Sequence, residues 1–427
     1  MSRLAPAPVM LILPACSLIE IILGGPFGIY GGIHLRTLLL AASCAWFLFA
    51  LLLRGTVTRA HVIPILSVAG FVVVNGIWVA VVPTLTGSDM HWALREPFAF
   101  VVLGLVVLVF AALTPSQLAA TVPKLQRLVV ATSLVLAILQ VGLWVLGTTV
   151  SRLQPLVPLV LSEVLPSSSS QLYVGTMPDG FFRVFWISTL WCLLSFFWFG
   201  VAFPRARFGW FWRGVLLMDL FVAYSRGLWV GLAAGLVAAF ATTVTRYELG
   251  RRLVRATLAG VVGVTALIAV LAATGSLRRG AERVTSTASG RDPSIGARVE
   301  QAPFLLQLWY EHPVIGSGYG AYAPGHLRSQ ESPYSYEHMP YALLAKLGLL
   351  GVLAGGAFLS GWGLTAWRAR RQRPAEAASF LGSCTALLIA EMTNPMILNF
   401  VSMAIFACLL VQWADMVRPY RTAQAPG

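Results

Sequence analysis

The sequence predicts an all-α fold, a polytopic bundle of transmembrane helices, and three observations carry that prediction. Of 427 residues, 58% are hydrophobic and only 11% charged, with a mean hydropathy of +0.78. That lies far outside the range of a soluble domain. Apolar runs of about 17–25 residues recur along the chain, the length a helix needs to cross a hydrocarbon core of about 30 Å. The basic residues between those runs fall mainly on one side. The runs are continuously apolar and do not alternate, which argues against a β-barrel.

The predicted spans are 8–25, 37–53, 62–83, 97–114, 128–148, 184–203, 209–224, 226–244, 253–274, 341–366, 377–393 and 395–414. That makes about 12, with both termini on the same side. The first opens with Arg3, an apolar run and "LPAC", which mimics a lipoprotein signal. Pro14 is out of place there and the apolar run continues past Cys16, so the segment is read as an uncleaved span. Spans seven and eight are joined by a very tight turn.

Orientation follows from the charges. With a cytoplasmic N-terminus, inward segments hold Arg3, Arg54, Arg59, Lys124, Arg127, Arg205, Arg207 and Arg213. They also hold Arg246, Arg251, Arg252, Arg255, Arg368, Arg370, Arg371, Arg373, Arg418 and Arg421, against the acids Glu248, Glu376 and Asp415. This is the positive-inside pattern. The net charge of +14 is therefore read as topological, with no nucleic-acid partner. Cys16, Cys44, Cys192, Cys384 and Cys408 all lie in apolar runs without a CxxC pair. They read as small core residues, with neither a metal site nor a disulfide framework.

The chain thus divides into residues 1–274 (spans 1–9), one long outward loop at 275–340, and residues 341–427 (spans 10–12 and a short cytoplasmic tail). A second outward segment, 149–183, carries "SSSS" and "MPDGFFR". No internal repeat relates the two halves.

Three stretches could carry chemistry. "AYSRGLWVG" puts Arg226 at the outer mouth between two spans, either as a snorkelling side chain or as an anion clamp. Asp219 precedes it by two helical turns and is expected on the same face. "GARVEQAPFLLQLWYEHPVIGSGYGAY" has helical apolar spacing from Arg298 to Tyr310, which predicts an amphipathic helix with Arg298 in its first turn. The glycines at 316, 318 and 320 lack a following GK[ST], so they predict tight turns and no P-loop. In "YEHMPYALLAKLGLLG", Pro340 suits the first turn of a helix, with Glu337 and His338 at the threshold. A helix N-terminus favours an anion and disfavours an imidazolium. His338 is therefore expected neutral at pH 7, able to take a proton from a hydroxyl or merely to cap. Lys346 is expected to face the bundle and pair there.

Without a nucleotide motif or metal ligands, an outward-facing enzyme needs an activated donor, and a lipid diphosphate fits the arginines and the membrane. Together these motifs resemble the O-antigen ligase and polymerase superfamily. The resemblance rests on Ser225-Arg226-Gly227, on Arg298 followed by Trp309, Pro313, Gly316 and Gly318, and on His338 ahead of Leu347-Gly348-Leu349-Leu350-Gly351. Met339 follows the histidine where the family more often has Asn, Ser or Gln. The resemblance implies a GT-C-like helical fold in the bacterial inner membrane, with a periplasmic active site. It implies a metal-independent, inverting glycosyl transfer from an undecaprenyl-diphosphate-linked glycan to a lipid or glycan acceptor, without cofactor. Arg226 and Arg298 would hold the diphosphate, and His338 would act as base or orient the acceptor. Glu337, Arg328 and Tyr341 would bind substrate.

The leading expectation is a ligase of the lipopolysaccharide or exopolysaccharide type. Its rival is a polymerase of lipid-linked repeats, whose acceptor is a second carrier-linked glycan. A flippase or transporter is the alternative outside enzymes. It predicts mid-membrane charges and inverted repeats, and only Glu20, Asp219 and Lys346 sit inside predicted spans, with no repeat. About a dozen residues follow the last span, which disfavours the protein-glycosylating members.

Overall fold

The computed structural model describes residues 12–23, 29–30, 33–54, 62–150, 172–177, 180–243, 293–327, 330, 332–392 and 399–417. Predicted span nine and residues 275–292 of the long loop lie outside the described residues. The chain is mostly helical, as the apolar runs require. Its elements are α1 (Ile12–Leu23), β1 (Ile29–Tyr30), β2 (Ile33–His34), α2 (Leu35–Arg54), α3 (Val62–Thr86) and α4 (Met90–Arg95). A 3-10 turn at Glu96–Phe100 leads into α5 (Val101–Ala112), followed by α6 (Pro115–Thr149), β3 (Leu172–Thr176), β4 (Phe182–Trp186) and α7 (Thr189–Ala202). Then come α8 (Gly209–Val222), α9 (Arg226–Thr243), α10 (Pro293–Glu311), α11 (Met339–Ala369), α12 (Pro374–Glu391) and α13 (Phe400–Met416).

Among the described residues, α3, α6, α9 and α11 are long and apolar enough to cross a membrane. Five further apolar helices have 10–17 residues. The chain is a helical, multi-pass membrane protein by these criteria.

Three expectations need correction. The fold is not purely α, because β1–β2 and β3–β4 form antiparallel hairpins. Residues 184–186, assigned to span six, belong to β4, and the helix starts only at Thr189. The burial of β4 alternates, which is strand and not helix behaviour. Lys124 and Arg127 belong to no loop, since α6 begins at Pro115 behind a Thr114–Gln117 capping box. Arg127 donates from Nε to the Ala202 carbonyl at the end of α7 (3.2 Å).

Asp219 and Arg226 do not share a helix face either. The turn Ala223–Ser225 separates α8 from α9. The helices then diverge, α8 packing on α6 and α7, α9 packing on α12. Asp219 is fully buried in the core. The α9–α12 contact is made through small residues. A Cβ at Gly235 would stand 2.5 Å from the Gly382 carbonyl and 2.7 Å from Ala386 Cβ. Such glycines let membrane helices approach to backbone contact.

This packing orients the site. Gly231 lies against Ala390 and Gly235 against Gly382, so α9 and α12 run antiparallel. Helix α12 follows α11 after the short turn at 370–373 and packs against it. Arg226, at the start of α9, and His338, at the start of α11, therefore lie at the same end of the bundle as Glu391.

Candidate active site

Helix α11 is broken at Gly348, where φ is +61° and ψ is −174°. Only glycine takes that conformation without large steric cost. The break is filled by residues 313–318. Leu349 and Leu350 donate to the carbonyls of Pro313 and Val314 (3.0 and 2.9 Å). Ser317 and Gly318 donate in return to Ala345 and Lys346 (2.9 and 2.8 Å). The glycines read as tight turns do more than turn: Gly316, at φ +69°, lies against Gly348 itself. The "HPVIGSG" loop and the "LGLLG" helix form one joint.

Helix α3 holds that joint from the other side. Its π turn at Ile77–Val81 lets the Trp78 carbonyl accept from Tyr319 N–H (3.0 Å). Trp78 Nε1 donates to Ile315 O (2.7 Å), and Thr86 and Ser88 hydroxyls donate to Ser317 O (3.0 and 2.8 Å).

Lys346 has the partner the sequence called for without naming. Its Nζ is paired with Glu96, and both side chains are nearly fully buried. Nζ also donates to Tyr334 O (2.7 Å). The second Glu96 oxygen accepts from Gly320 N–H (2.6 Å). The pair thus ties the loop on both flanks to the turn before α5. Sequence reasoning missed Glu96, because 250 positions separate it from Lys346.

Above this joint sit four of the predicted site residues. Arg298 and Gln301, one turn apart on α10, both reach Glu337. Arg298 Nε stands 3.7 Å from Glu337 Oε2, and Gln301 Oε1 accepts from Glu337 N–H (3.0 Å). His338 is the N-cap of α11, and its ring stacks on Tyr341 at 4.1 Å. Its Nδ1 is buried without a hydrogen-bond partner among the described residues. Burial, then the Arg298 charge, holds the imidazole below its ordinary range. Met339 packs in the cluster of Leu305, Tyr336, Ala342 and Ala345, so an apolar residue there anchors the helix start. Arg328 lies outside the described residues.

Arg226 stands on a different helix at the same end. The corner before it is tightly held. Tyr224 has φ +49°, a left-handed conformation that costs a bulky residue about 1–3 kcal/mol. Its ring stacks on Phe181 at 3.9 Å, at the turn end of the β3–β4 hairpin. Arg183, on β4, donates from Nε to Ala223 O (2.8 Å). Trp229 closes the box, stacked on Phe221 and donating to Leu220 O (3.0 Å). The hairpin and Arg183 were not found from sequence. The alternation of "FRVFW" after the "MPDG" turn is the signal that marks them.

The site therefore comprises a half-buried histidine kept neutral at a helix N-terminus, an arginine and a glutamate beside it, and a second arginine at the same end. A search of curated proteins finds no relative with significant similarity. Residues 213–355, however, match the family described as O-antigen ligase. The matched segment runs from α8 to the middle of α11 and takes in Arg226, Arg298 and His338. Over this segment, about a third of its length, the chain is similar to the O-antigen ligase family, which supports the resemblance read from its motifs.

Proposed function

We propose that the protein is a membrane glycosyltransferase of the O-antigen ligase type. It takes a glycan from undecaprenyl diphosphate on the periplasmic face and joins it to an acceptor hydroxyl. The observation that carries this reading is His338, held neutral at a helix N-terminus beside Arg298.

In the proposed step the acceptor O–H gives its proton to the His338 imidazole. The oxygen forms its bond to the anomeric carbon while the bond from that carbon to the diphosphate oxygen breaks. The electron pair leaves on the carrier diphosphate. Arg226 and Arg298 meet the charge that develops there. Attack opposite to the leaving group inverts the anomeric centre. Glu337 holds Arg298 in place and lines the sugar side, and Tyr341 supports the imidazole face.

The test is the length distribution of carrier-linked glycan in cells whose only copy is His338→Ala. Long chains stranded on the carrier are the expected result for a ligase. Single repeat units alone would make the protein a polymerase. An unchanged profile, with the variant present in the membrane, would remove His338 from the mechanism.

A further inference from the structure

The end of the bundle away from Arg226 carries a second group of arginines. Helix α7 stops at Ala202, and the turn 203–208 leads into α8 at Gly209. Two cations reach the last turn of α7, one from each neighbouring helix. Arg127, on α6, donates from Nε to Ala202 O (3.2 Å). On α8, Arg213 lies so close that a Cβ at Gly200 would stand 2.6 Å from its Nη2. Its Cζ is 5.4 Å from the centre of the Phe199 ring. Both sit where the carbonyls of a helix C-terminus draw positive charge. Arg205 and Arg207 stand exposed on the turn itself.

Acids are scarce around them. From Pro97 to Val150 and from Phe181 to Met218 the chain has no Asp or Glu. None of the four arginines forms an ion pair among the described residues. Asp415, near the end of α13, is held by Arg373 (2.8 Å). The start of α8 adds to the imbalance. Phe208, its N-cap, supplies no side-chain acceptor, and its first turn has no acid. That leaves the positive end of the helix open as well. Beside the charges lies an apolar surface of large rings. Phe208, Trp210 and Phe211 are 59%, 65% and 48% exposed. A tryptophan so placed at the end of a membrane helix sits at the level of the headgroups.

We propose that the 203–213 corner binds the headgroup of an anionic phospholipid, in the leaflet away from Arg226. The phosphate lies among Arg205, Arg207 and Arg213, and the acyl chains run past Phe208, Trp210 and Phe211. Arginine suits phosphate oxygens through its paired N–H donors. The scarcity of acids decides between headgroups. A zwitterionic lipid brings an ammonium with nothing to meet it, whereas an anionic lipid brings only the charge that the corner lacks. Basic pockets between helices at this depth are where such headgroups bind. Helix α8 runs from this corner to Val222, so the bound lipid braces the helix that leads to Arg226.

Native mass spectrometry of the full chain, released from nonionic detergent, tests the site. The probes are dioleoyl phosphatidylglycerol, dioleoyl phosphatidylethanolamine and inorganic phosphate. Phosphatidylglycerol is expected to be retained about tenfold or more over phosphatidylethanolamine. Arg205→Gln with Arg207→Gln should weaken it about twentyfold, roughly fivefold for each charge. Both side chains are exposed, so the fold is not at stake. Arg370→Gln with Arg371→Gln, the same change of charge at the turn between α11 and α12, should leave it unchanged. Equal retention of the two lipids would overturn the assignment to an anionic headgroup. Equal loss from both pairs of substitutions would reduce the effect to net charge and overturn the site. Displacement of the lipid by equimolar inorganic phosphate would give the corner to a free anion and overturn the lipid. The readout needs no transfer, so it stands whatever the His338→Ala cells show.

Discussion

Arg183 donates from Nε to the carbonyl of Ala223, 2.8 Å away, three residues before Arg226. The bond is charge-assisted and closes a corner whose next residue, Tyr224, is left-handed. The proposed diphosphate clamp is thus set by a side chain on a hairpin some 40 positions upstream.

Arg183→Ala should lower the transfer rate about tenfold or more, the worth of one hydrogen bond from a charged group. In a double-mutant cycle, Arg183→Ala should add little once Arg226 is already Ala, because it acts through that residue. Additive losses would mean that Arg183 only supports the fold.

The acid limb of kcat/KM should report His338. Its proton affinity is lowered by burial and by Arg298, so the limb should have its midpoint below 6.5. Arg298→Gln removes the positive neighbour and should move the midpoint upward, while Arg298→Lys should not. The same group gives stability a matching slope. Below 6.5 the unfolded chain takes the proton before the folded one does. Its contribution is therefore full above that pH and declines as the pH falls toward the lowered value.

Lys346→Met should destabilise the protein by about 3–5 kcal/mol, since it strands a buried carboxylate. Adding Glu96→Gln should recover part of that loss. Thermal unfolding of the purified variants in detergent gives both numbers. Equal melting temperatures for Lys346→Met and wild type would show that the pair carries no structural weight.

Gly348→Ala should cost more than an ordinary helix substitution. The new Cβ would meet the backbone at 314–316 in a conformation that L-residues rarely adopt. Gly355→Ala, in the same helix with open space around it, serves as the control and should gain slightly in stability. Yield of folded, monodisperse protein distinguishes the two.

Much of this was legible in the chain itself. The apolar runs place α2, α3, α9 and α11 to within a few residues, because hydrocarbon thickness fixes a span's length. The spacing from Arg298 to Tyr310 falls within α10, but the helix starts earlier, at Pro293, so Arg298 stands in its second turn and not its first. What stayed hidden is tertiary. Glu96 looks like one more loop acid until Lys346 is brought to it. The hairpin merges in sequence with the aromatic run of α7, so composition outweighed the alternation of β4. Asp219 was put with Arg226 by counting two helical turns straight through the tight turn between spans seven and eight, but Ala223–Ser225 breaks the helix and with it the periodicity. The joint between 313–318 and 345–350 replaces helix bonds with loop bonds, which no local periodicity reveals.

That joint also sets a height. The piece of α11 beyond the break, Leu349–Ala369, is by itself about 30 Å long, enough to cross the hydrocarbon layer unaided. The piece before it, Met339–Leu347, adds about 13 Å. If the longer piece fills the membrane, the shorter one is a stalk that rises out of it, braced by the loop at its foot. His338 then stands not at the waterline but well above it, at the level where a lipid's headgroup ends and its sugars begin.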